Sequence, residues 1–345
     1  MQIAEGETSM PTISVVIPTY NATDTIERAL NSVYAQSYPN IIEVIVVDDG
    51  STDETANTVA DAFPQATIIR QENRGCGAAR NAGVKAAKGQ HIAFLDADDE
   101  WTPEHIAAMV GVKRWCVGAG LLLCQEFRQM TEGAVDLKRP WLTAGLYTFD
   151  FRDCLNQLNF ALGFSSCPSG WLISRELFNT VGGFDESLMP VDDVEFMLRL
   201  SSLGFTIVGV THPGFTVYWR EHSMSRGGVG PTRSALTLCD VIRPFAPSGS
   251  SGANTILTPG EYQAFLKKAL CAAAQSLVAG GRLKEAQELF REARFLQGGS
   301  LQMRLGVTLG ALMPRLVGWF SSRFWFSLRR TLFRRQLAKR LSQTR

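Results

Sequence analysis

The feature that most constrains this chain is a strict alternation in its first hundred residues. Short apolar, β-rich runs recur as "ISVVI" (13–17), "EVIVV" (43–47), "ATIIR" (66–70) and "HIAFL" (91–95). Between them lie "DTIERALNSVYAQ" (24–36), "DETANTVADAF" (53–63) and "GAARNAGVKAAKG" (77–89), each with helical spacing of apolar residues. Runs of four or five apolar residues bounded by polar turns read as buried strands. Strands alternating with helices over short connections imply a parallel sheet covered by helices, an α/β fold. Asp24 and Glu27 have the spacing of a capping box at the start of the first helix. In such sheets, ligands collect beyond the carboxyl ends of the strands. The polar clusters fall there: Pro18-Thr19-Tyr20-Asn21, Asp48-Asp49-Gly50-Ser51, Asn73-Arg74-Gly75 and Asp96–Asp99.

The fourth cluster poses a physical problem. On an extended chain Asp96 and Asp98 point to one face, about 7 Å apart. Two carboxylates at that separation repel by about 2 kcal/mol at an effective dielectric near 20. Solvent, a shifted pKa, helix capping or a cation could each offset this. Neither G-x-G-x-x-G nor G-x-x-x-x-G-K-[ST] follows the first strand, where the chain reads "PTYNATDT". A phosphate bound at this edge is therefore not cradled by glycines, and a hard divalent ion held by carboxylates is the natural counter-charge.

The second hundred residues are less regular. "SGWLISRELFNTVGGFDESLMP" reads as strand, short helix and Gly-Gly turn, "DDVEFMLRLSSLGF" (192–205) as a helix closed by Gly204, and "FTIVGV" with "FTVYWR" as a strand pair. Asp192 and Glu195 again have capping-box spacing, which leaves Asp193 projecting from the first turn. A carboxylate there could take a proton from an attacking hydroxyl.

At this point the sequence resembles a known family. "VVIPTYNATDTIERALNSVYAQ", "VIVVDDGSTDET", "NRGCGAARNAG", "IAFLDADD", "VGGFDE…DDVEFMLRL" and "YWREHSMS" are similar, in order and spacing, to the signature of family 2 glycosyltransferases with the GT-A fold, over about residues 12–225. The resemblance implies inverting transfer of a sugar from a nucleoside diphosphate sugar, with Mg²⁺ or Mn²⁺. Carried over position by position, it implies that Pro18 and Tyr20 line the nucleoside site and Asp49 hydrogen-bonds the base. Asn73 and Arg80 would lie near the sugar diphosphate. Asp96 and Asp98 would occupy the D-x-D positions, touching ribose and metal. Asp193 matches the catalytic base, within a pair that reads Asp192-Asp193 where relatives more often carry Glu-Asp. His222 of "REHSMS" matches a metal or phosphate ligand of some relatives, although a histidine in a polar loop can equally be solvated; Arg220 has the same status.

The organisation expected is a disordered N-terminus (1–10) and a GT-A domain (11–230) with a donor half (11–105) and an acceptor half (106–230). A Pro/Gly/Ser linker (244–254), a helical hairpin (255–298) and a basic aromatic tail (299–345) follow. Residues 301–345 carry ten Arg or Lys and no acid, leaving the other 300 with 24 basic and 33 acidic side chains, a net of −9. An acidic body argues against nucleic acid as a partner. Arginines interleaved with Phe324, Trp325, Phe326 and Phe333 favour an anionic membrane surface over a solvated or partner-bound helix. Seven scattered cysteines without a C-x-x-C pair suit reduced thiols, and no signal peptide is read at the start. The expectation is a cytoplasmic enzyme, peripheral on the inner face of the cell membrane, making a single addition to a glycan or lipid-linked acceptor. A sugar nucleotidyltransferase should carry a Gly-rich basic loop after the first strand, which is absent. A non-catalytic GT-A scaffold is disfavoured by the intact Asp49, Asp96, Asp98 and Asp193.

Overall fold

The computed structural model describes residues 10–113, 119–129, 135–137, 146–151, 154, 166–218, 230–245, 256–279 and 281–296. The chain divides into two compact units, residues 1–220 and 221–345. In the first, β1 (Ile13–Thr19), β2 (Ile41–Asp48), β3 (Thr67–Arg70) and β4 (His91–Phe94) alternate with α1 (Ile26–Tyr34), α2 (Thr55–Ala62) and α3 (Cys76–Ala86). These four strands lie parallel in the order β3-β2-β1-β4. Every residue of β1 is buried, as a central strand covered on both faces requires. Helix α1 buries Ile26, Ala29, Leu30 and Val33, one stripe at helical spacing. Helix α3 lies so close to the sheet that a Cβ on Gly83 would come within 2.3 Å of Val16 Cγ1, so only glycine fits there.

Beyond β4 the sheet continues through β5 (Glu100–Trp101), β6 (Ala119–Gln129), β7 (Val135–Leu137), β8 (Leu146–Phe149), β9 (Trp171–Ser174) and β10 (Thr206–Tyr218), with α4 (His105–Lys113) after β5. Strand β9 inserts antiparallel between β4 and β6, and β10 runs parallel to β6. The two strands expected at 205–220 are one strand of 13 residues. Its register shifts between Val210 and Pro213 and again before Phe215, so the Pro-Gly pair bends the ladder instead of ending it.

Helices α5 (Arg175–Val181) and α6 (Asp192–Ser202) pack on β4 and β9 through Phe94, Trp171, Phe178, Phe184 and Phe196, with ring centroids 5.1–5.8 Å apart. This aromatic layer fixes α6 and hence the residues at its start. The second unit contains α7 (Gly230–Val241) and a hairpin of α8 (Pro259–Ala279) and α9 (Leu283–Phe295). The hairpin closes over Ala274, Leu277, Ala286 and Phe290, and Lys267 Nζ donates to the Leu296 carbonyl at 3.1 Å. Thr258 and Glu261 form a capping box at the start of α8. Among the described residues no helix is long and apolar enough to cross a membrane.

Candidate active site

Four strand ends and one helix start build the site. The first two loops are knitted together: Asn21 N–H donates to Ser51 Oγ at 3.0 Å, Ala22 N–H to Thr55 Oγ1 at 2.8 Å, and Thr52 N–H to Asn21 Oδ1 at 2.8 Å. Because α2's loop holds this turn, α1 starts at Ile26 with Thr25 at its cap, and the Asp24–Glu27 box does not form. Pro18 is buried in β1 and Tyr20, just beyond it, is 51% exposed.

Asp49 is buried, and both of its oxygens are engaged. Oδ1 accepts from Gln71 Nε2 at 2.7 Å and Arg74 N–H at 3.0 Å, and Oδ2 accepts from Gly75 N–H at 2.7 Å. The carboxylate thus organises the loop that carries exposed Asn73 and ends on Gly75, at φ +91, where α3 begins.

Asp96, Asp98 and Asp99 follow β4. Arg28 Nη2 donates to the Asp98 carbonyl at 2.6 Å, and its guanidinium carbon lies 3.7 Å from the centre of the Tyr218 ring. The Tyr218 hydroxyl donates to Glu100. Asp99 turns inward, where Ser169 Oγ donates to its Oδ2 at 2.6 Å, and Asp96 N–H donates to the same hydroxyl at 3.0 Å. Trp101 Nε1 holds the Ser169 carbonyl at 2.7 Å. Burial, then Asp98 and Asp96, push the Asp99 carboxyl well above the usual carboxylate range. Cys167 Sγ lies 3.6 Å from both Asp96 Oδ2 and Asp99 Oδ2.

Ligand atoms of Asp96, Asp99 and Cys167 all lie within 4.8 Å of one another. The two carboxylates suit a hard divalent ion, while the Cys167 thiol, pushed well up by burial, does not. The expected metal partner Asp98 is not in that set, and His222, with Arg220, lies outside the described residues.

Helix α6 supplies the remaining acids. The Asp192–Glu195 capping box does not form, because both carboxylates have stronger partners. Glu195 receives Arg199 Nε at 2.7 Å and Nη2 at 2.8 Å, while Asp192 Oδ2 receives Arg80 Nη1 at 3.2 Å. Arg80 Nη2 donates at 2.6 Å to Asp96 Oδ1, so one guanidinium joins the end of β4 to the start of α6. Burial pushes Asp192 up, opposed by the Arg80 charge. Asp193 Oδ1 accepts its neighbour Val194 N–H at 2.7 Å, and Ser166 hydrogen-bonds the carboxylate. Burial and the charge of Asp192 nevertheless raise its pKa to about 7.

Of the residues singled out in the sequence, Arg80 and Asp96 are joined directly, and Arg80 links them to the neighbour of Asp193. Pro18, Tyr20, Asp49 and Asn73 occupy the β1, β2 and β3 ends of the same edge. Sequence reasoning passed over Asp99, Cys167 and Ser169. The polar run "SSCPSG" before an apolar strand was the available signal.

Residues 14–182 match the model of Glycosyl transferase family 2. They form a family 2 glycosyltransferase domain. An uncharacterized glycosyltransferase of Rickettsia prowazekii is 38% identical to the chain over 204 residues, covering 56% of this chain and 61% of that protein. The Escherichia coli protein WfaP, a UDP-Glc:alpha-D-GlcNAc-diphosphoundecaprenol beta-1,3-glucosyltransferase, is 39% identical over 103 residues, covering 29% of this chain and 41% of WfaP. The chain thus spans less than two thirds of these curated relatives. S. aureus TarS 1-349 in complex with UDP-GlcNAc shares the fold, with TM-score 0.58 and 19% identity over 90% of this chain and 91% of that one. The mixed α/β architecture, a mostly parallel sheet flanked by helices, is that expected of a GT-A family 2 domain.

Proposed function

We propose that the protein transfers a sugar from a UDP-sugar to a hydroxyl acceptor with inversion at the anomeric carbon. The observation that carries this reading is the junction of Asp96, at the end of β4, with the Asp192-Asp193 turn of α6. It joins a donor-side carboxylate to a candidate base at the edge where parallel sheets receive ligands. Tyr20 would stack on the nucleobase, and Asp49 would preserve the 71–75 loop that faces it. Asp193 would accept the acceptor's proton as the oxygen attacks and the bond from the anomeric carbon to the diphosphate breaks. A pKa of about 7 suits a base working near neutral pH, and such help is worth roughly 10²–10⁴-fold.

Asp96 and Asp98, with Asp99 beside them, would hold a Mg²⁺ or Mn²⁺ ion through carboxylate oxygens. Such an ion supplies positive charge for the leaving diphosphate.

The UDP-sugar is favoured by the UDP-GlcNAc complex of TarS. A lipid-linked glycan acceptor, in cell-surface polysaccharide synthesis, is favoured by the diphosphoundecaprenol named for WfaP. The Rhizobium meliloti succinoglycan biosynthesis protein ExoO, 44% identical over 104 residues, points the same way. The basic residues 301–345 would attach the chain to an anionic cytoplasmic membrane face, where such an acceptor is presented, for one addition per encounter.

The experiment is a panel of nucleotide sugars with Mg²⁺, Mn²⁺ or chelator, scored by release of nucleoside diphosphate and by thermal stabilisation. Release of UDP from one UDP-sugar, lost in Asp193→Asn while stabilisation by UDP persists, is the expected result. A chain that neither releases nor is stabilised by any nucleotide refutes the proposal.

A further inference from the structure

The reaction outlined above leaves one buried group without a task. The Arg80 side chain is 5% exposed; its Nη2 faces Asp96, its Nη1 faces Asp192, and its Nε has no hydrogen-bond partner. The Phe184 ring lies 5.4 Å from its guanidinium carbon. A family likeness would put this arginine on the sugar diphosphate. Here both terminal nitrogens already meet protein carboxylates out of solvent, so a phosphate would have to displace one of them.

Residues of α3 and of the loop before it serve the same junction. Asn81 exchanges two hydrogen bonds of 2.9 Å with the Phe184 backbone, and Arg74 pairs with Glu186. A Cβ on Gly77 would stand 3.1 Å from Asp192 Oδ2, so the missing side chain lets the start of α3 close on the start of α6. The stretch "NRGCGAARNAG" therefore grips residues 184–192 at several points across more than a hundred residues of sequence.

We propose that Arg80 is a positioning residue for the transfer step, which ties Asp96 to Asp192 and so fixes the first turn of α6 that presents Asp193. This rests on the reading of Asp193 as the base. Arg80 acts through its two carboxylates, not by holding the donor. A bidentate guanidinium can bridge two acids in a fixed geometry, whereas a lysine ammonium reaches one well.

The test is a double-mutant cycle in the full-length chain with Arg80→Lys and Asp192→Asn, the second being nearly isosteric. Two readouts are taken: steady-state UDP release from the UDP-sugar selected by the panel, and UDP affinity by calorimetry with Mn²⁺. Each single variant is expected to lower kcat at least tenfold while changing donor KM and UDP affinity less than threefold. The double variant should lose no more than the worse single one, because both act through one contact. Losses that multiply, or a tenfold loss of UDP affinity in Arg80→Lys with kcat kept, would mean that Arg80 grips the diphosphate and would overturn the proposal. Should Arg80→Lys not fold, Asp192→Asn alone decides, and wild-type kcat in that variant overturns it. A wild-type chain that releases no UDP overturns the function and this role together; an active wild type with a multiplicative cycle overturns this role alone.

Discussion

Replacing Asp193 by Asn should cost the protein its activity and make it more stable, and the second effect has a definite pH window. The Asp193 carboxyl is raised from 3.8 to about 7, first by burial and then by the charge of Asp192. At 1.36 kcal/mol per pKa unit, holding it ionised in the fold costs up to roughly 4 kcal/mol. Sharing of charge with Asp192 and partial exposure of the group make about 2 kcal/mol the lower expectation. The sign follows from proton linkage. The folded chain holds this proton more tightly than the unfolded one between about pH 4 and pH 7, so stability falls as pH rises through that window and the cost is complete above it. The amide of Asn keeps an acceptor for Val194 N–H and Ser166 but carries no charge.

Thermal melts of wild type and Asp193→Asn, without metal or nucleotide, should therefore coincide at pH 4 and separate by roughly 4–10 °C at pH 8, the variant melting higher. Under the same pH series, the wild-type rate of UDP release should rise with a midpoint near 7, and the variant should be slower by roughly 10²–10⁴-fold. A variant that melts no higher at pH 8, or whose advantage is the same at pH 4, refutes the buried-charge argument. Wild-type turnover in the variant refutes the base assignment.

Three further outcomes are expected. Asp49→Ala leaves the Gln71 amide and the Arg74 and Gly75 N–H groups without their acceptor. Urea unfolding should show a loss of about 2–3 kcal/mol, and donor KM should rise as the 71–75 loop loosens. Asp98→Ala should abolish the extra thermal stabilisation that Mn²⁺ adds to UDP, while leaving the metal-free melt within about 1 kcal/mol of wild type. Removing residues 301–345 should end co-sedimentation with anionic vesicles at low salt while leaving UDP release intact, and undiminished sedimentation rejects membrane attachment by the tail.

The first four strands and three helices of the fold were legible because their signals are local. Strand and helix periods alternate over 13–94, and each polar cluster follows its strand directly. What escaped was long-range pairing of side chains. Nothing around Asp99 announces Ser169, 70 residues away, and nothing around Arg80 announces Asp192, 112 residues away. The two expected capping boxes failed differently: Thr55 anchors the turn before α1 so that Thr25 becomes its cap, whereas Arg80 takes Asp192 from across the fold and Arg199, one turn along the same helix, takes Glu195. The bent strand β10 misled in the opposite sense. Its His212-Pro213-Gly214 stretch has breaker chemistry, yet the ladder to β6 resumes at Phe215 after a shift in register.

The acidic pair at the start of α6 is where sequence alone could least decide between two neighbours. Successive residues on a helix are about 100° apart, so the two carboxylates must face different surroundings. Asp192 turns toward α3 and meets a buried cation that can cancel its charge. Asp193 turns toward Ser166 and keeps a raised pKa, with no ion pair to it among the described residues. Neighbouring acids whose environments differ in this way take different tasks. Asp192, ion-paired to Arg80, suits holding the turn in place, and Asp193 suits exchanging a proton near neutral pH. Exchanging the two would put the proton-accepting carboxylate against Arg80, whose charge opposes the rise that burial gives and whose guanidinium would occupy one of its oxygens.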